Sequence, residues 1–411
     1  MRNIYTAIDL GSNSIKIVVA EYINDKYHVL ASNITKIKGV RRGLIVDFTT
    51  VDEYLKIALA ETEKKLGFKI TKALISVPSF ETKITVEEAK VKVEEETVSN
   101  RDVTNVLDKA ALAIELKHEL IAAIPISFSL DKKNNIKKPQ NQAAKNLGVK
   151  AIVISSPRQH LQEIFALFND NNIEIIDIFL KSVADYNQVK DNYTEKSLGA
   201  LINIGEDIID IALFNKGIII KEEQLRLGSR NVDRDIAYVY GLDLSIARNL
   251  KEKLSYATKK LADNLESVNL PALNGGTINI SQKEVSEIVE ARIREMLKLS
   301  KNIINDLTKR KISYIIVTGG LTQIPGMDNL IEEEFGIDGK VVHMKDLGVR
   351  DNRYLTAMGM IRAYREKLEF RGQNYSMIND EELNQMMSLH SIDYKDVEED
   401  RVINASDYFI Q

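Results

Sequence analysis

Cysteine is absent from the sequence, and histidine occurs only five times. Without cysteine the protein can form no disulfide, no thiolate nucleophile and no zinc–thiolate site. The histidines lie too far apart in the sequence to make a local metal-ligand motif, so we interpret them as structural or surface residues. The sequence also lacks an apolar run near the ~20 residues that span a bilayer, and it lacks a signal peptide. We therefore expect a cytoplasmic protein.

An excess of charge of one sign is also missing, because the formal net charge is only −4 over 411 residues. Such a balance gives no bulk attraction to nucleic acid, so we expect no nucleic-acid partner. The apolar fraction of 44% and the charged fraction of 28% are typical of a globular protein. The length leaves room for two sizeable cores.

Apolar residues flank a short polar turn in the stretch TAIDLGSNSIKIVVAEY, residues 6–22. The pattern predicts two strands, over 5–10 and 15–19, joined at Gly11. Glycine permits a sharp turn, and small neighbours leave several backbone N–H groups free to bind one phosphate. Those neighbours are Ser12, Asn13 and Ser14. Asp9 would repel a bare phosphate, so its presence suggests Mg²⁺ held through water. An ordinary hairpin turn would explain the same pattern equally well.

A second copy of this pattern occurs later in the chain, where INIGEDIIDIAL (202–213) aligns with IDLGSNSIKIVV (8–19). The alignment places Asp9 over Asn203, Gly11 over Gly205 and Lys16 over Asp210. Two such hairpins predict two similar α/β halves, each presenting a phosphate-binding turn to one cleft.

A third glycine-containing stretch is YIIVTGGLTQIPGM, residues 314–327. It predicts a buried strand that ends at Gly319 and Gly320, where a flat ring could approach the backbone. A Gly-Gly pair is also common in loops that connect a strand to a helix, so it does not by itself indicate a ligand.

The alternation of strand and helix patterns predicts several segments. We expect a first lobe from 1–80, 156–195 and 345–370, a small α+β insertion at 81–155, a second lobe from 196–228 and 311–344, its helical outer subdomain at 229–310, and an acidic flexible tail at 371–411. Within the insertion we predict a hairpin over 81–98 and a helix from Ser99 to about 117. Capping boxes at Thr50 and Ser281 predict the starts of two further helices.

The order of two phosphate hairpins, a helical segment and a strand–Gly–Gly loop resembles the actin, Hsp70 and sugar-kinase superfamily. Within it, the chain resembles the FtsA family of bacterial cell-division proteins up to about residue 370. The resemblance is carried by DLGSNSIK, NIGEDIID, VDRDIAYVYGLDLSIARNLK and VTGGLTQIPGM, and by the insertion, where that family has a subdomain. It implies an α/β, actin-like (ribonuclease-H-like) duplicated fold with two lobes around a nucleotide cleft.

The resemblance also implies a cofactor site for ATP and Mg²⁺. The implied ATP-binding residues are Gly11, Ser12, Asn13, Ser14, Lys16, Gly205, Glu206, Asp207, Lys251, Gly319, Gly320 and Gln323. Asp9 and Asn203 would hold Mg²⁺ through water. No catalytic residue is assigned.

Three departures from the family pattern weaken hydrolysis. Asn203 stands where an aspartate is usual, Arg248 stands where a ribose-binding carboxylate is expected, and Glu206 and Asp207 replace glycines. Arginine cannot accept a hydrogen bond from a ribose hydroxyl, and acidic side chains repel a γ-phosphate unless they turn away. Because most of the backbone cradle survives, we expect binding to persist and the ATPase activity to be weak at most.

The family resemblance implies filament formation beneath the membrane at the division site and binding of the C-terminal tail of the tubulin-like protein FtsZ. Other division proteins would dock on the insertion. We place the FtsZ site near the helix at 281–306, whose cations Arg292, Arg294, Lys298 and Lys301 could meet acidic groups, although such cations are usually solvated. The sequence ends in ASDYFIQ, too short for an amphipathic anchor, so membrane attachment would be indirect or through a missing C-terminal helix.

Two alternatives stay open. One is a small-molecule kinase or phosphatase of the same superfamily, which needs a catalytic base facing a substrate pocket; only Glu206 and Asp207 are candidates. The other is an actin-like pilus-assembly protein.

Overall fold

The computed structural model describes residues 3–271, 276–379 and 381–384. Its strands, in chain order, are β1 Asn3–Leu10, β2 Ser14–Ile23, β3 Lys26–Lys36, β4 Val40–Arg41, β5 Leu44–Ile45, β6 Lys72–Val77, β7 Lys83–Lys92, β8 His118–Leu130, β9 Lys133–Ile136, β10 Asn146–Pro157, β11 Glu174–Leu180, β12 Leu198–Ile204, β13 Ile209–Asn215, β14 Ile218–Leu225, β15 Ser267–Pro271, β16 Thr277–Ser281, β17 Tyr314–Thr318 and β18 Gly339–Val341. Its α-helices are α1 Phe48–Leu66, α2 Asn100–Ala111, α3 Arg158–Asp170, α4 Lys181–Val189, α5 Ser229–Tyr240, α6 Leu244–Lys253, α7 Gln282–Leu307, α8 Met327–Phe335 and α9 Leu355–Phe370.

The first lobe is built on a five-stranded sheet in the order β11-β6-β1-β2-β3. Its central strand β1 pairs antiparallel with β2 and parallel with β6, and every residue of β1 is buried. Helices α1 and α3 cover one face of the sheet, and α4 and α9 cover the other. Because both faces are covered, the side chain of Asp9 at the end of β1 is held in the interior.

The second lobe repeats this arrangement in a five-stranded sheet of order β14-β13-β12-β17-β18. β12 pairs antiparallel with β13 and parallel with β17, as β1 does with β2 and β6. Asn203 pairs with Asp210 in the register in which Asp9 pairs with Lys16. The predicted duplicated fold is therefore confirmed. Helices α5 to α8 share one core with this sheet.

The insertion is a four-stranded sheet of order β7-β10-β8-β9 with α2 packed against it. Two sequence predictions are wrong here. Residues 81–98 do not form a hairpin, because β7 pairs along its length with the distant β10. The helix ends at Ala111 instead of near 117, because the chain must turn before His118 joins β8 opposite Pro157.

The two predicted capping boxes have different outcomes. At α7, Ser281 and Glu284 form the reciprocal box as predicted. The start of α1 was predicted wrongly, because Asp47 is its cap and accepts a hydrogen bond from the backbone N–H of Thr50 at 3.1 Å. Asp47 lies about one turn before Thr50, the first residue of the predicted capping box, so the helix begins at Phe48.

The chain does not leave the first lobe at residue 371 as predicted. Met377 is buried, and its N–H donates to the carbonyl of Ile4 at 2.9 Å. The predicted tail beyond residue 384, with its ASDYFIQ end, lies outside the described residues. None of the helices in the described ranges is long and apolar enough to cross a membrane.

An apolar core joins the two lobes, and α4 and α9 pack tightly beside it. Tyr186 of α4 stacks on Phe214 of β13 with ring centroids 4.0 Å apart. On the other side of α4, a Cβ on Gly359 of α9 would lie 1.9 Å from the carbonyl oxygen of Ala184. No side chain fits at that crossing.

Gly359→Ala should therefore lower the free energy of unfolding by ~1–3 kcal/mol, through overpacking. The direction of the change is informative, because replacing glycine by alanine in a helix interior ordinarily raises the free energy of unfolding by about 1 kcal/mol. Urea denaturation of the variant and of the control Asn302→Ala, at an exposed position of α7, measures the effect. A Gly359→Ala protein as stable as the parent would contradict the close crossing.

Candidate functional site

The first phosphate turn joins β1 to β2 at residues 11–13. A hydrogen bond of 3.0 Å from the N–H of Gly11 to the carbonyl of Ser14 closes it. A Cβ on Gly11 would lie 2.6 Å from Nζ of Lys16, so the missing side chain lets that ammonium group approach the turn. The Oγ of Ser12 accepts a hydrogen bond from the N–H of Gly43 at 3.3 Å.

The second phosphate turn joins β12 to β13 and is closed in the same way, by a bond of 2.9 Å from the N–H of Gly205 to the carbonyl of Ile208. The first N–H groups of α5 donate to carbonyls of this turn. The acidic side chains of Glu206 and Asp207 are both paired with arginines. Arg230 donates to Asp207 at 2.6 Å, and Arg248 donates to Glu206.

The third turn follows β17. Gly319 has φ +105°, and a Cβ there would lie 2.3 Å from the carbonyl oxygen of Ile204, so the loop lies directly against the end of β12. A Cβ on the next residue, Gly320, would lie 3.7 Å from the side chain of Arg353, an ordinary van der Waals distance, so a small side chain could be accommodated there. Gln323 donates to the carboxylate of Asp351.

The three turns line one cavity of about 310 Å³ between the lobes. This volume is at the lower end of the ~300–1,000 Å³ range of small-ligand sites. Of the residues predicted to bind ATP or metal, all except Asp207 line the cavity: Asp9, Gly11, Ser12, Asn13, Ser14, Lys16, Asn203, Gly205, Glu206, Lys251, Gly319, Gly320 and Gln323. Their role in binding stays a prediction.

Asp9 is the most strongly paired acid of the cavity. Its carboxylate accepts hydrogen bonds from Lys16 at 2.9 Å and Ser76 at 2.6 Å, and Nζ of Lys181 lies 3.1 Å away. Burial alone would raise its pKa, but the two ammonium groups hold the pKa of Asp9 well below its ordinary value. Burial likewise opposes the charge of Lys181, yet Asp9 raises the pKa of this lysine. Asp9 therefore stays ionised.

These contacts do not fit the predicted magnesium role of Asp9 and Asn203. Both carboxylate oxygens of Asp9 already accept from side chains. The amide nitrogen of Asn203 donates to Asp185, and its oxygen is directed towards Gly319. Within the described residues there is no group of three or more His, Asp or Glu that could hold a metal ion.

Helix α6 brings two cations to the second-lobe wall of the cleft. Lys251 is buried and pairs with Asp233 at 2.6 Å. Arg248 pairs with the same carboxylate at 3.0 Å and also donates to Oδ1 of Asn13 at 2.8 Å. Because Asn13 belongs to the first lobe, Arg248 connects the two lobes across the mouth of the cleft.

Sequence reasoning missed four charged residues that line the cavity, namely Lys181, Asp210, Glu252 and Arg353. Lys181 had a usable signal, since it directly follows an apolar strand at the carboxyl edge of a sheet, where α/β proteins bind ligands. Glu252 follows the predicted Lys251 by one position. Arg353 comes from a loop with no motif, so only the folded chain reveals it.

Two buried carboxyl groups lie where the second sheet meets the first lobe. Asp210 accepts from Ser79 at 2.9 Å and from Gln224 at 2.7 Å. Both oxygens of Glu222 are buried, close to the hydroxyl groups of Ser182 and Ser79. Burial, and then the nearby carboxylate of Asp210, raise the pKa of Glu222 well above its ordinary value.

Glu222→Gln should therefore stabilise the protein at mildly alkaline pH by about 1 kcal/mol or more, and much less near pH ~4. The wild-type protein loses stability as the pH rises from the unfolded pKa of Glu, about 4.3, through the raised pKa of the folded state, whereas an amide does not titrate. Urea unfolding at both pH values measures the difference. The matched control is Glu223→Gln, at the exposed next residue. A gain of equal size at both pH values would contradict the titration of Glu222.

The four cations predicted to bind a partner lie on α7, away from the cavity. Arg292 pairs with Asp235 at 2.5 Å, and Arg294 pairs with Glu290 and Glu334, each at 2.8 Å. Lys301 donates to the carbonyl of Glu334 at 3.0 Å. Lys298 is exposed and makes no ion pair within the described ranges. The partner role of these residues stays a prediction.

Comparison with known proteins identifies two family matches. The model of the cell division protein FtsA matches residues 200–359, and that of the SHS2 domain inserted in FtsA matches residues 81–155. The two matches together cover more than half of the chain. The FtsA of Bacillus subtilis is 25% identical over 395 residues, covering 94% of this chain and 89% of the relative. That of Borreliella burgdorferi is 26% identical over 385 residues, covering 90% and 92%.

Solved structures with the same fold are actin-like. A chain of a PilM–PilN type IV pilus biogenesis complex matches with a TM-score of 0.60 at 11% identity, covering 88% of this chain and 98% of that one. MreB5 of Spiroplasma citri bound to ADP matches with a TM-score of 0.54 at 12% identity, covering 90% and 98%. These likenesses confirm the actin-like fold. The family match over residues 81–155 confirms the inserted subdomain. The chain belongs to the FtsA family of cell division proteins.

Proposed function

We propose that the chain binds ATP in the cavity between its lobes. The observation that carries this proposal is the convergence of three glycine turns, from both halves of the duplicated fold, on one cavity of about 310 Å³. The ADP bound to MreB5, which shares the fold, gives further support.

The cavity residues divide by chemistry. The amides of the turns at Gly11 and Gly205, with the ammonium groups of Lys16 and Lys181, would hold phosphates. The open backbone at Gly320 would accept the flat adenine ring. Bound ATP supplies a phosphoanhydride bond, but a catalytic base must reach an attacking water. Glu206 and Asp207 are engaged with arginines, so we expect slow hydrolysis at most.

Gly320→Val tests the adenine side of this proposal without straining the fold. Gly320 is free of positive φ, and a Cβ there makes only an ordinary contact with Arg353, another residue of the cavity lining, so the added side chain should reduce the space for adenine and lower the affinity for ATP by about tenfold or more. Isothermal titration calorimetry measures the affinity, and thermal melting checks that the variant folds. Unchanged affinity in a folded variant would place the nucleotide elsewhere.

We further propose that the protein assembles into filaments with copies of itself and links the FtsZ tail to the cytoplasmic membrane at the division site, with other division proteins docking on the insertion. Membership of the FtsA family supports this role. The likeness to PilM carries the fold alone, so the pilus alternative has no separate support. Glu206 and Asp207, the two acids that the kinase or phosphatase alternative would use as a base, both pair with arginines and so give that alternative no support.

Lys298→Glu should weaken binding of a peptide of the FtsZ C-terminal tail by roughly threefold or more, if α7 meets acidic groups of that tail. Lys298 is suitable because it is exposed and unpaired in the described chain, so reversing its charge breaks no internal ion pair. Fluorescence anisotropy of a labelled peptide measures the affinity. Lys64→Glu, at an exposed position of α1 in the other lobe, is the control. Equal binding by parent and both variants would remove α7 from the interface.

A further inference from the structure

The carboxylate of Asp9 is enclosed by three side-chain donors. Nζ of Lys16 lies 2.9 Å from Oδ2, while Oγ of Ser76 at 2.6 Å and Nζ of Lys181 at 3.1 Å both meet Oδ1. Nζ of Lys181 also donates to the carbonyl of Leu10 at 3.1 Å. An ammonium group thus occupies the oxygen-rich place beside the first turn where a cation would be held.

A divalent cation has no comparable place in this cavity. Mg²⁺ in nucleotide sites is usually held by one or two carboxylates together with phosphates, through several waters. Here the carboxylate of Asp9 lies between two ammonium groups, and a dication beside them would meet two like charges at short range. Asn203, the other predicted ligand, is uncharged and already donates to Asp185.

Both lysines keep donors for a ligand. An ammonium group has three N–H donors. Within the described residues, Lys181 donates to the carboxylate of Asp9 and to the carbonyl of Leu10, which leaves one N–H donor. Lys16 donates only to the carboxylate of Asp9, which leaves two. Both side chains line the cavity. The two ammonium groups share the carboxylate of Asp9. Asp185 and Asp210 also lie near Lys181, but burial raises the pKa of both carboxyl groups and so opposes their negative charge, which suits a phosphate in this corner.

We propose that Lys181, together with Lys16, takes the place of the divalent cation, so that the cavity binds a nucleoside triphosphate without metal. The inference rests on the proposed ATP site. Lys181 is a positioning and charge-neutralising residue for the phosphates, and no covalent step is involved.

Calorimetry of the full chain with ATP, in excess EDTA and in excess MgCl₂, tests the proposal. The dissociation constant of the wild-type protein should differ by less than about threefold between the two conditions, because the protein's own ammonium groups neutralise the phosphates. Lys181→Met should lose about tenfold or more in EDTA, the loss of one charge-assisted hydrogen bond. Magnesium should restore much of this loss, because Oδ1 of Asp9, left with only the hydrogen bond from Ser76, could then hold a hydrated cation in place of the ammonium group.

Lys190→Met, at the far end of α4, is the matched control and should bind ATP as the wild type does in both conditions. Lys190 pairs with Glu366 and Glu195 and does not line the cavity. Lys181→Arg keeps the charge and should keep most of the ATP affinity in EDTA. If the Lys181→Met protein folds poorly, this variant still tests the role of the charge, and a large loss of affinity in a folded Lys181→Arg protein would contradict it.

The outcomes separate the inference from the function on which it rests. Wild-type binding that disappears in EDTA and returns with magnesium would overturn the inference and leave the ATP site intact. A folded Lys181→Met protein with wild-type affinity in EDTA would also overturn it. Absence of ATP binding in both conditions would instead contradict the proposed function.

Discussion

The ion pairs of Asp9 with Lys16 and Lys181 determine the character of the cleft. A carboxylate enclosed at the end of a buried strand is costly unless charged partners and hydrogen bonds compensate its lost hydration. The fold supplies those partners from β2 and from the start of α4, elements that must pack against β1 in any case. The ammonium groups are therefore positioned by folding itself. A ligand that binds there meets charges already in place, so little ordering is required at the moment of binding.

Local patterns made much of the fold predictable from the sequence. The alternation of apolar residues around Gly11 and Gly205 reflects strands whose partner strands are adjacent in the chain. Because the motif occurs twice, the second copy supported an interpretation that one copy alone left open. Where the partner strand is distant in the sequence, the same kind of pattern led to a wrong prediction. Residues 83–92 alternate as a hairpin strand would, yet their partner is β10, more than fifty positions away. An alternation of apolar and polar residues indicates a strand but does not identify the strand with which it pairs.

The site was predictable where it is made of glycine turns and less so where it is made of charges. A turn carries its signature within a few residues, because backbone geometry demands glycine there. An ion pair such as that of Asp9 with Lys181 depends on two elements 172 positions apart that meet only after the sheet forms. The magnesium site stays a prediction, made from Asp9 without the two lysines that pair with it in the folded chain.

Two of the departures from the family pattern prove to be partners of one another. Glu206 stands in place of a glycine and Arg248 in place of a carboxylate. Together they form an ion pair, and Arg248 adds a bond to Asn13 of the first lobe. Relative to the family pattern, the negative charge lies on the second turn instead of α6 and α6 carries an added positive charge, so the summed charge of the two positions is zero instead of −1. Each member also has a second partner, since Arg248 pairs with Asp233 at 3.0 Å and Arg230 lies 3.5 Å from Glu206, so the pair is part of a larger ion-pair network in the cleft wall. The added contact with Asn13 gives this chain an interlobe link at the cleft mouth, which must yield or rearrange whenever the lobes separate to admit a ligand.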